Sequence, residues 1–145
     1  MIARYFALVA GIIFLAVGVL GFIPGLAGAY HGTDPHLVVR AGAGYLLGLF
    51  PVNVLHDLVH LLIGAAGLAA YTGGVESSRL YARALAIVYA LLTVMGLIPV
   101  LNVTFGLIPI FGLDILLHAA SAVVAAYVGF MAPLETDTRA RSRLT

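Results

Sequence analysis

The sequence predicts an all-α integral membrane protein, built as a bundle of four transmembrane helices. Of its 145 residues, 63% are hydrophobic and 9% are charged, whereas soluble domains carry about 25% charged residues. Four apolar segments of roughly 18–20 residues are each long enough to cross a hydrocarbon core about 30 Å thick. We expect one transmembrane domain over residues 1–132 and a polar cytoplasmic tail over 133–145.

The predicted spans cover about 5–23, 53–71, 80–98 and 112–131. The first span follows Arg4, and a signal peptide is the alternative for it. Its apolar stretch exceeds the usual ~7–15 residues of a signal peptide's hydrophobic region, so we expect it to be retained. Asn53 stands directly before the second span, where its side chain can cap the first helical turn.

The connection between the first two spans carries signals of its own. Asp34 and Pro35 offer a cap and a proline at the first helical position, and apolar residues then continue to Phe50. We therefore expect a short extra helix on the outward side, before the second span. Pro51 is expected to end this helix, because proline cannot continue its hydrogen bonds.

The arginines predict how the protein is oriented. By the positive-inside rule, both termini and the 72–79 loop lie in the cytoplasm of a multi-pass protein of the cell membrane. One arginine, Arg40, falls on the outward side. The others fall on the cytoplasmic side: Arg4, Arg79, Arg83, Arg139, Arg141 and Arg143.

The two halves of the chain resemble each other. At an offset of 75 residues, the Gly-x-Ile-Pro motif at 21–24 matches the one at 96–99. At an offset of 58 residues, His60 aligns with His118. Two helical hairpins of the same orientation are typical of a parallel repeat about an axis along the membrane normal.

Ionisable residues form two pairs near the outward ends of the second and fourth spans. His56 with His60, and Asp114 with His118, are each four residues apart and therefore share a helix face. An ionisable group within a membrane costs ~2.5–3.5 kcal/mol on insertion scales, so such groups usually face the bundle interior and pair. We expect the two pairs to face each other between the second and fourth spans.

This cluster has several interpretations, of which we favour the first. In the first, the groups hydrogen-bond to one another and to the backbone of the outer loops, and so fix how the hairpins pack, in a structural or interaction protein. Alternatively, the cluster ligates a transition metal such as Zn²⁺ through His56, His60, Asp114 and His118. Asp57 would then orient one imidazole without binding the metal itself. In a third interpretation, His60 and His118 are the axial ligands of haem b. The fourth is proton or ion translocation, or sensing of external pH.

The composition and the missing motifs argue against several other functions. The sequence lacks cysteine, so thiolate sites are excluded, and its net charge of +1 offers no basic patch for nucleic acid. It contains no Gly-x-Ser-x-Gly elbow and no lysine for a phosphate-binding loop, so we expect no enzyme. The expected partners are the lipid bilayer and another membrane subunit or a second copy of the chain.

Residues 48–64, GLFPVNVLHDLVHLLIG, resemble the signature of a bacterial family of small four-span membrane proteins classed as a domain of unknown function. The matching positions are Pro51, Asn53, His56 and His60. The resemblance leads us to expect Asn after the first histidine, where this chain has Asp57. The resemblance implies a multi-pass membrane protein and supplies no activity.

Overall fold

Four long helices form the bundle in the computed structural model, which describes residues 1–133. They are α1 (Ile2–Gly21), α2 (Val54–Thr72), α3 (Gly74–Gly96) and α4 (Leu113–Ala126), and a π-helical turn continues α4 over Tyr127–Met131. All four helices, with that turn, are long and apolar enough to cross a membrane. The predicted membrane fold is therefore confirmed. The predicted tail at 133–145 lies, apart from its first residue, outside the described part of the chain.

The boundary between α2 and α3 differs from the prediction. The predicted loop at 72–79 is only a turn at Gly73, because α3 already begins at Gly74. Gly74 has a φ of 91°, a backbone conformation that glycine adopts without steric cost. The first turns of α3 are held to α2 by the buried Ser78 hydroxyl, which donates to the carbonyl of Ala70 at 3.0 Å. Hydropathy alone missed this polar beginning of the helix.

Arginines close the end of the bundle that holds the start of α1, the Gly73 turn and the end of α4, which we name the terminal end. Arg79 Nη1 donates to the carbonyl of Ala132 at 2.8 Å, and Arg83 Nε donates to that of Gly129 at 2.9 Å. Arg4 Nε donates to a carbonyl at the end of α2, 3.3 Å away. Cations are favoured at helix C-termini, where carbonyl groups lack intrahelical partners.

Small residues allow α1 to pack closely along α2. A Cβ on Gly64 would lie 2.6 Å from the backbone nitrogen of Leu15, and one on Gly67 would lie 2.8 Å from the Cα of Gly11. The helices α3 and α4 form the second closely packed pair. The bundle therefore consists of two helical hairpins, and large apolar side chains on all four helices point outward, as lipid contact requires.

The opposite end, which we name the loop end, is formed by residues 22–53 and 97–112. Three short strands cover it, β1 (Ala27–Ala29), β2 (Gly44–Leu46) and β3 (Phe50–Val52). They form an antiparallel sheet in the order β1, β2, β3. Ala27 is opposite Leu46, and Gly44 is opposite Val52. Between residues 97 and 112 the chain forms a short 3₁₀ segment, Leu101–Gly106, whose backbone is kinked at Val103, Thr104 and Phe105.

This sheet corrects the expected extra helix before the second span. Gly42, Leu47 and Gly48 all have positive φ angles, which a right-handed helix does not contain. Gly44 also lies so close to the carbonyl of Gly28 that a Cβ would collide with it. Glycine is a poor helix former, and here its missing side chain lets two strands approach.

We predict that Gly64→Ala destabilises the protein by about 1–3 kcal/mol, because the added methyl group must push α1 away from α2. The measurement is thermal unfolding in a mild detergent. Gly32→Ala is the matched control, since a Cβ there meets nothing within 4 Å. Equal unfolding temperatures for the two variants would contradict the close approach of α1 and α2.

Aromatic rings pack together at the loop end, and the pKa of one of them, Tyr30, is raised. The Tyr30 hydroxyl donates to the carbonyl of Pro35 at 2.7 Å, and its ring stacks on Tyr45 with centroids 6.2 Å apart. Burial, followed by the nearby charge of Asp34, raises the pKa of Tyr30 to about 12. The folded state therefore favours the neutral phenol. The resulting stability is complete below the ordinary pKa of about 10 and is lost as pH rises toward 12.

We predict that the Cζ resonance of labelled Tyr30, assigned through Tyr30→Phe, titrates with a midpoint near pH 12. Asp34→Asn should move this midpoint downward, because it removes a negative charge that opposes ionisation. A wild-type midpoint near the ordinary value of about 10 would show that Tyr30 is not buried in this way.

Candidate functional site

The site begins with Asn53, which is fully buried at the start of α2. Its Oδ1 accepts a hydrogen bond from the His56 backbone N–H at 2.9 Å, so the predicted helix cap is confirmed. Its Nδ2 donates to the carbonyls of Val39 at 2.9 Å and Leu107 at 2.6 Å. One amide therefore joins the first turn of α2 to both connections of the loop end.

The two pairs of ionisable residues face each other, as the sequence predicts. Asp114 Oδ2 lies 3.5 Å from His118 Nε2 on its own helix and 4.0 Å from His56 Nε2 on α2. All three side chains are buried. Their donor atoms lie within 4.8 Å of one another, and we name these three residues the donor triad.

The backbone of β3 orients one member of the triad. His56 Nδ1 lies 3.2 Å from the carbonyl oxygen of Pro51. A carbonyl can only accept, so Nδ1 carries the proton and donates it. In the neutral imidazole, Nε2 then presents its lone pair toward Asp114.

Several buried polar atoms at the site lack a hydrogen-bond partner among residues 1–133. An unsatisfied buried polar atom costs about 1–3 kcal/mol, so a group of them in one place requires an explanation. The atoms at the cluster are Asp114 Oδ2, His118 Nδ1 and His60 Nδ1. The packing interpretation expects these groups to hydrogen-bond to one another and to the backbone of the loop end. His56 makes such a bond to Pro51, and Asp114 contacts His118 at 3.5 Å, but the three atoms above remain without a hydrogen bond.

Two aromatic rings, which the sequence analysis did not single out, cover the cluster on the side of the terminal end. Tyr89 of α3 meets the His118 ring edge to face, with centroids 5.0 Å apart. Phe14 of α1 stacks on His60 at 5.7 Å and contacts Tyr89 at 5.6 Å. Tyr89 falls on the same helix face as Ala82 and Ala86, which was the available signal.

The remaining predicted residues lie around the triad or away from it. The His60 ring packs on the His56 ring, with centroids 4.5 Å apart, but His60 is not one of the three converging donors. Asp57 is buried against Gly21 at the end of α1, where its carboxyl occupies the space of a Cβ. It makes no hydrogen bond to an imidazole.

A protein family described as a domain of unknown function, DUF4383, matches residues 4–131. This match covers all four helices and confirms the resemblance seen in residues 48–64. No curated protein and no solved structure matches the chain.

We predict that Asn53→Ala destabilises the protein by at least about 1–3 kcal/mol, because it leaves two carbonyls and one N–H unsatisfied. Asn53→Ser keeps a capping oxygen and should recover only part of this loss. Thermal unfolding in detergent measures both variants. Asn102→Ala is the control, since its side-chain oxygen accepts no hydrogen bond from residues 1–133, and an equal loss there would refute the role of Asn53.

Proposed function

The chain belongs to the DUF4383 family, whose function is unknown, and on the geometry of its own residues we propose that it binds a divalent transition-metal ion. The ligands are His56, Asp114 and His118. The proposal is for a binding protein of the membrane and not for an enzyme.

The convergence of the donor triad carries this proposal. Two imidazole nitrogens and one carboxylate oxygen lie within 4.8 Å of one another in a buried position. Three protein ligands of these types, with a fourth position left open, are a common arrangement around Zn²⁺. Imidazole also suits copper, nickel and iron, so the donor types define a class of ions and not a single one.

The observed distances are close to those that an ion would impose. A tetrahedral Zn²⁺ with ligand distances of ~2.0–2.2 Å holds its donors about 3.3–3.6 Å apart. The contact between Asp114 and His118 is 3.5 Å, and that between Asp114 and His56 is 4.0 Å. The two imidazole nitrogens lie within 4.8 Å of each other, so closing the triad around an ion requires His56 to move toward Asp114 and His118.

The surroundings of His56 also support a metal ligand. Histidines that bind metals usually donate their second ring N–H to a carbonyl or carboxylate, which fixes the tautomer. The contact from His56 Nδ1 to the carbonyl of Pro51 is of this kind. A bound cation would also give Asp114 Oδ2 the partner that it lacks.

The haem alternative requires His60 and His118 on opposite sides of a macrocycle. The His60 ring is covered by Phe14 and by His56, and the His118 ring is covered by Tyr89. These packed rings favour a single ion over a porphyrin. The metal analysis described below distinguishes haem iron from a single bound ion.

Translocation is less well supported than binding. Toward the terminal end, two tyrosines, Tyr89 and Tyr81, follow the cluster, and among the described residues no carboxylate or imidazole continues from them. The other side chains packed there are apolar: Leu85, Ala86, Ala122 and Ala125. We infer from Arg4, Arg79 and Arg83 that the terminal end faces the cytoplasm, so the proposed ion lies near the outward face.

We predict that wild-type protein, purified in mild detergent without a histidine tag or chelators, holds nearly one transition-metal ion per chain by plasma mass spectrometry. His118→Ala and Asp114→Asn should each lower this content at least about tenfold, since losing even an outer partner of a ligand costs about 10–100-fold. His60→Ala should retain the ion, because His60 is outside the donor triad.

His36→Ala is the matched control, because His36 is an exposed histidine of the loop end. Adding the ion should raise the unfolding temperature of wild type and His36→Ala but not of the triad variants, since a ligand stabilises only a state that binds it. Wild-type content far below one ion after growth in supplemented medium would refute the proposal and favour the packing interpretation. Iron with a porphyrin absorption band, lost in His60→Ala, would replace it with the haem alternative.

A further inference from the structure

A second buried carboxylate, Asp57, faces a different part of the protein from the donor triad. The residue is 1% exposed, and its Oδ1 has no hydrogen-bond partner among residues 1–133. It lines a pocket of about 370 Å³ at the loop end, between the end of α1, the start of α2 and the backbone before β2. We name this the Asp57 pocket.

Asp57 stands in the first turn of α2, whose N-terminus favours a carboxylate, but the carboxyl also lies against the end of α1, which does not. A helix C-terminus carries about −0.5 elementary charge, and the last turn of α1 contains no basic residue. The carboxyl lies directly against Gly21, the last residue of that helix, where any Cβ would collide with it. Glycine at this position leaves room for the carboxyl, and two negative groups then border the same pocket.

Among the described residues, Asp57 forms no ion pair. The other lining side chains are uncharged, and Phe22, Ile23, Pro24 and Val54 give part of the wall an apolar surface. One side of the pocket therefore carries a carboxylate without a cationic partner, and the other side is hydrophobic. These two properties are those of a site for a cation that carries hydrocarbon.

The size of the pocket distinguishes an organic cation from a bare ion. Sites for small organic ligands have volumes of about 300–1,000 Å³, whereas one water molecule occupies about 30 Å³. A single carboxylate borders this pocket, whereas tight Ca²⁺ sites gather several charged ligands. The volume and the apolar part of the lining accommodate a compact organic ammonium ion.

We propose that the Asp57 pocket binds a small organic ammonium compound, whose charged nitrogen pairs with the Asp57 carboxylate and whose hydrocarbon part lies against Phe22, Ile23 and Val54. This site is separate from the donor triad, and the inference does not depend on the metal proposal.

The test uses the full-length protein in an uncharged detergent and two probes of nearly the same shape, cyclohexylmethylammonium and cyclohexylmethanol. Binding is measured by isothermal titration calorimetry and by the shift of the unfolding temperature. We expect the ammonium probe to bind at least about tenfold more tightly than the alcohol, because only the former pairs with the buried carboxylate.

Asp57→Asn should weaken binding of the ammonium probe at least about tenfold while preserving the shape of the side chain. Asp34→Asn is the matched control, because Asp34 is an acid of the same loop end that already pairs with His31. Val54→Phe, which fills the apolar side, should weaken the probe as well. If Asp57→Asn fails to fold, this variant still tests the pocket.

Three results would overturn the proposal. They are equal affinity for the ammonium and the alcohol, equal affinity of wild type and Asp57→Asn, and an equal stabilisation by potassium chloride at the same concentration. The last result would assign the pocket to a simple ion. Metal content measured on the same Asp57→Asn sample separates the two proposals, because the donor triad should remain loaded when the Asp57 pocket is impaired.

Discussion

The hydrogen bonds of one buried amide, that of Asn53, hold the loop end and the helices together. Its oxygen caps α2, and its nitrogen donates to Val39 in the first connection and to Leu107 in the second. The cap fixes the direction of the first turn of α2, and with it the position of His56. The bond to Leu107 fixes the chain just before α4, which carries Asp114. A single side chain therefore sets the distance between groups that are far apart in sequence.

Close helix packing and polar convergence occur between different helices. Gly11, Gly64 and Gly67 bring α1 against α2, whereas the polar side chains of α2 reach across the interior to α4. Tyr89 and Phe14 fill the space beneath them. Small residues provide stability through contact along the hairpins, and the wider gap between α2 and α4 leaves room for imidazole and carboxylate groups.

The two buried aspartates show how position determines chemistry. Asp114 points inward at two imidazoles, where its charge complements a shared cation. Asp57 follows His56 directly in sequence, yet it lies against the end of α1 and borders a pocket. Successive helical residues point about 100° apart, so one turn of α2 can supply a ligand to the bundle interior and a carboxylate to a separate surface pocket.

The sequence by itself determined the four spans and the two pairs of ionisable residues, because both depend on local features. An apolar run of sufficient length indicates a membrane helix, and residues four apart on a helix share a face. Tertiary structure decided what depends on distant partners. The segment before Pro51 became a sheet because β1 and β3 pair with β2. Likewise, Asp57 turned away from the imidazoles because Gly21 leaves space for it. Pairing between distant strands and the space beside another helix are set by residues far along the chain, which local periodicity does not specify.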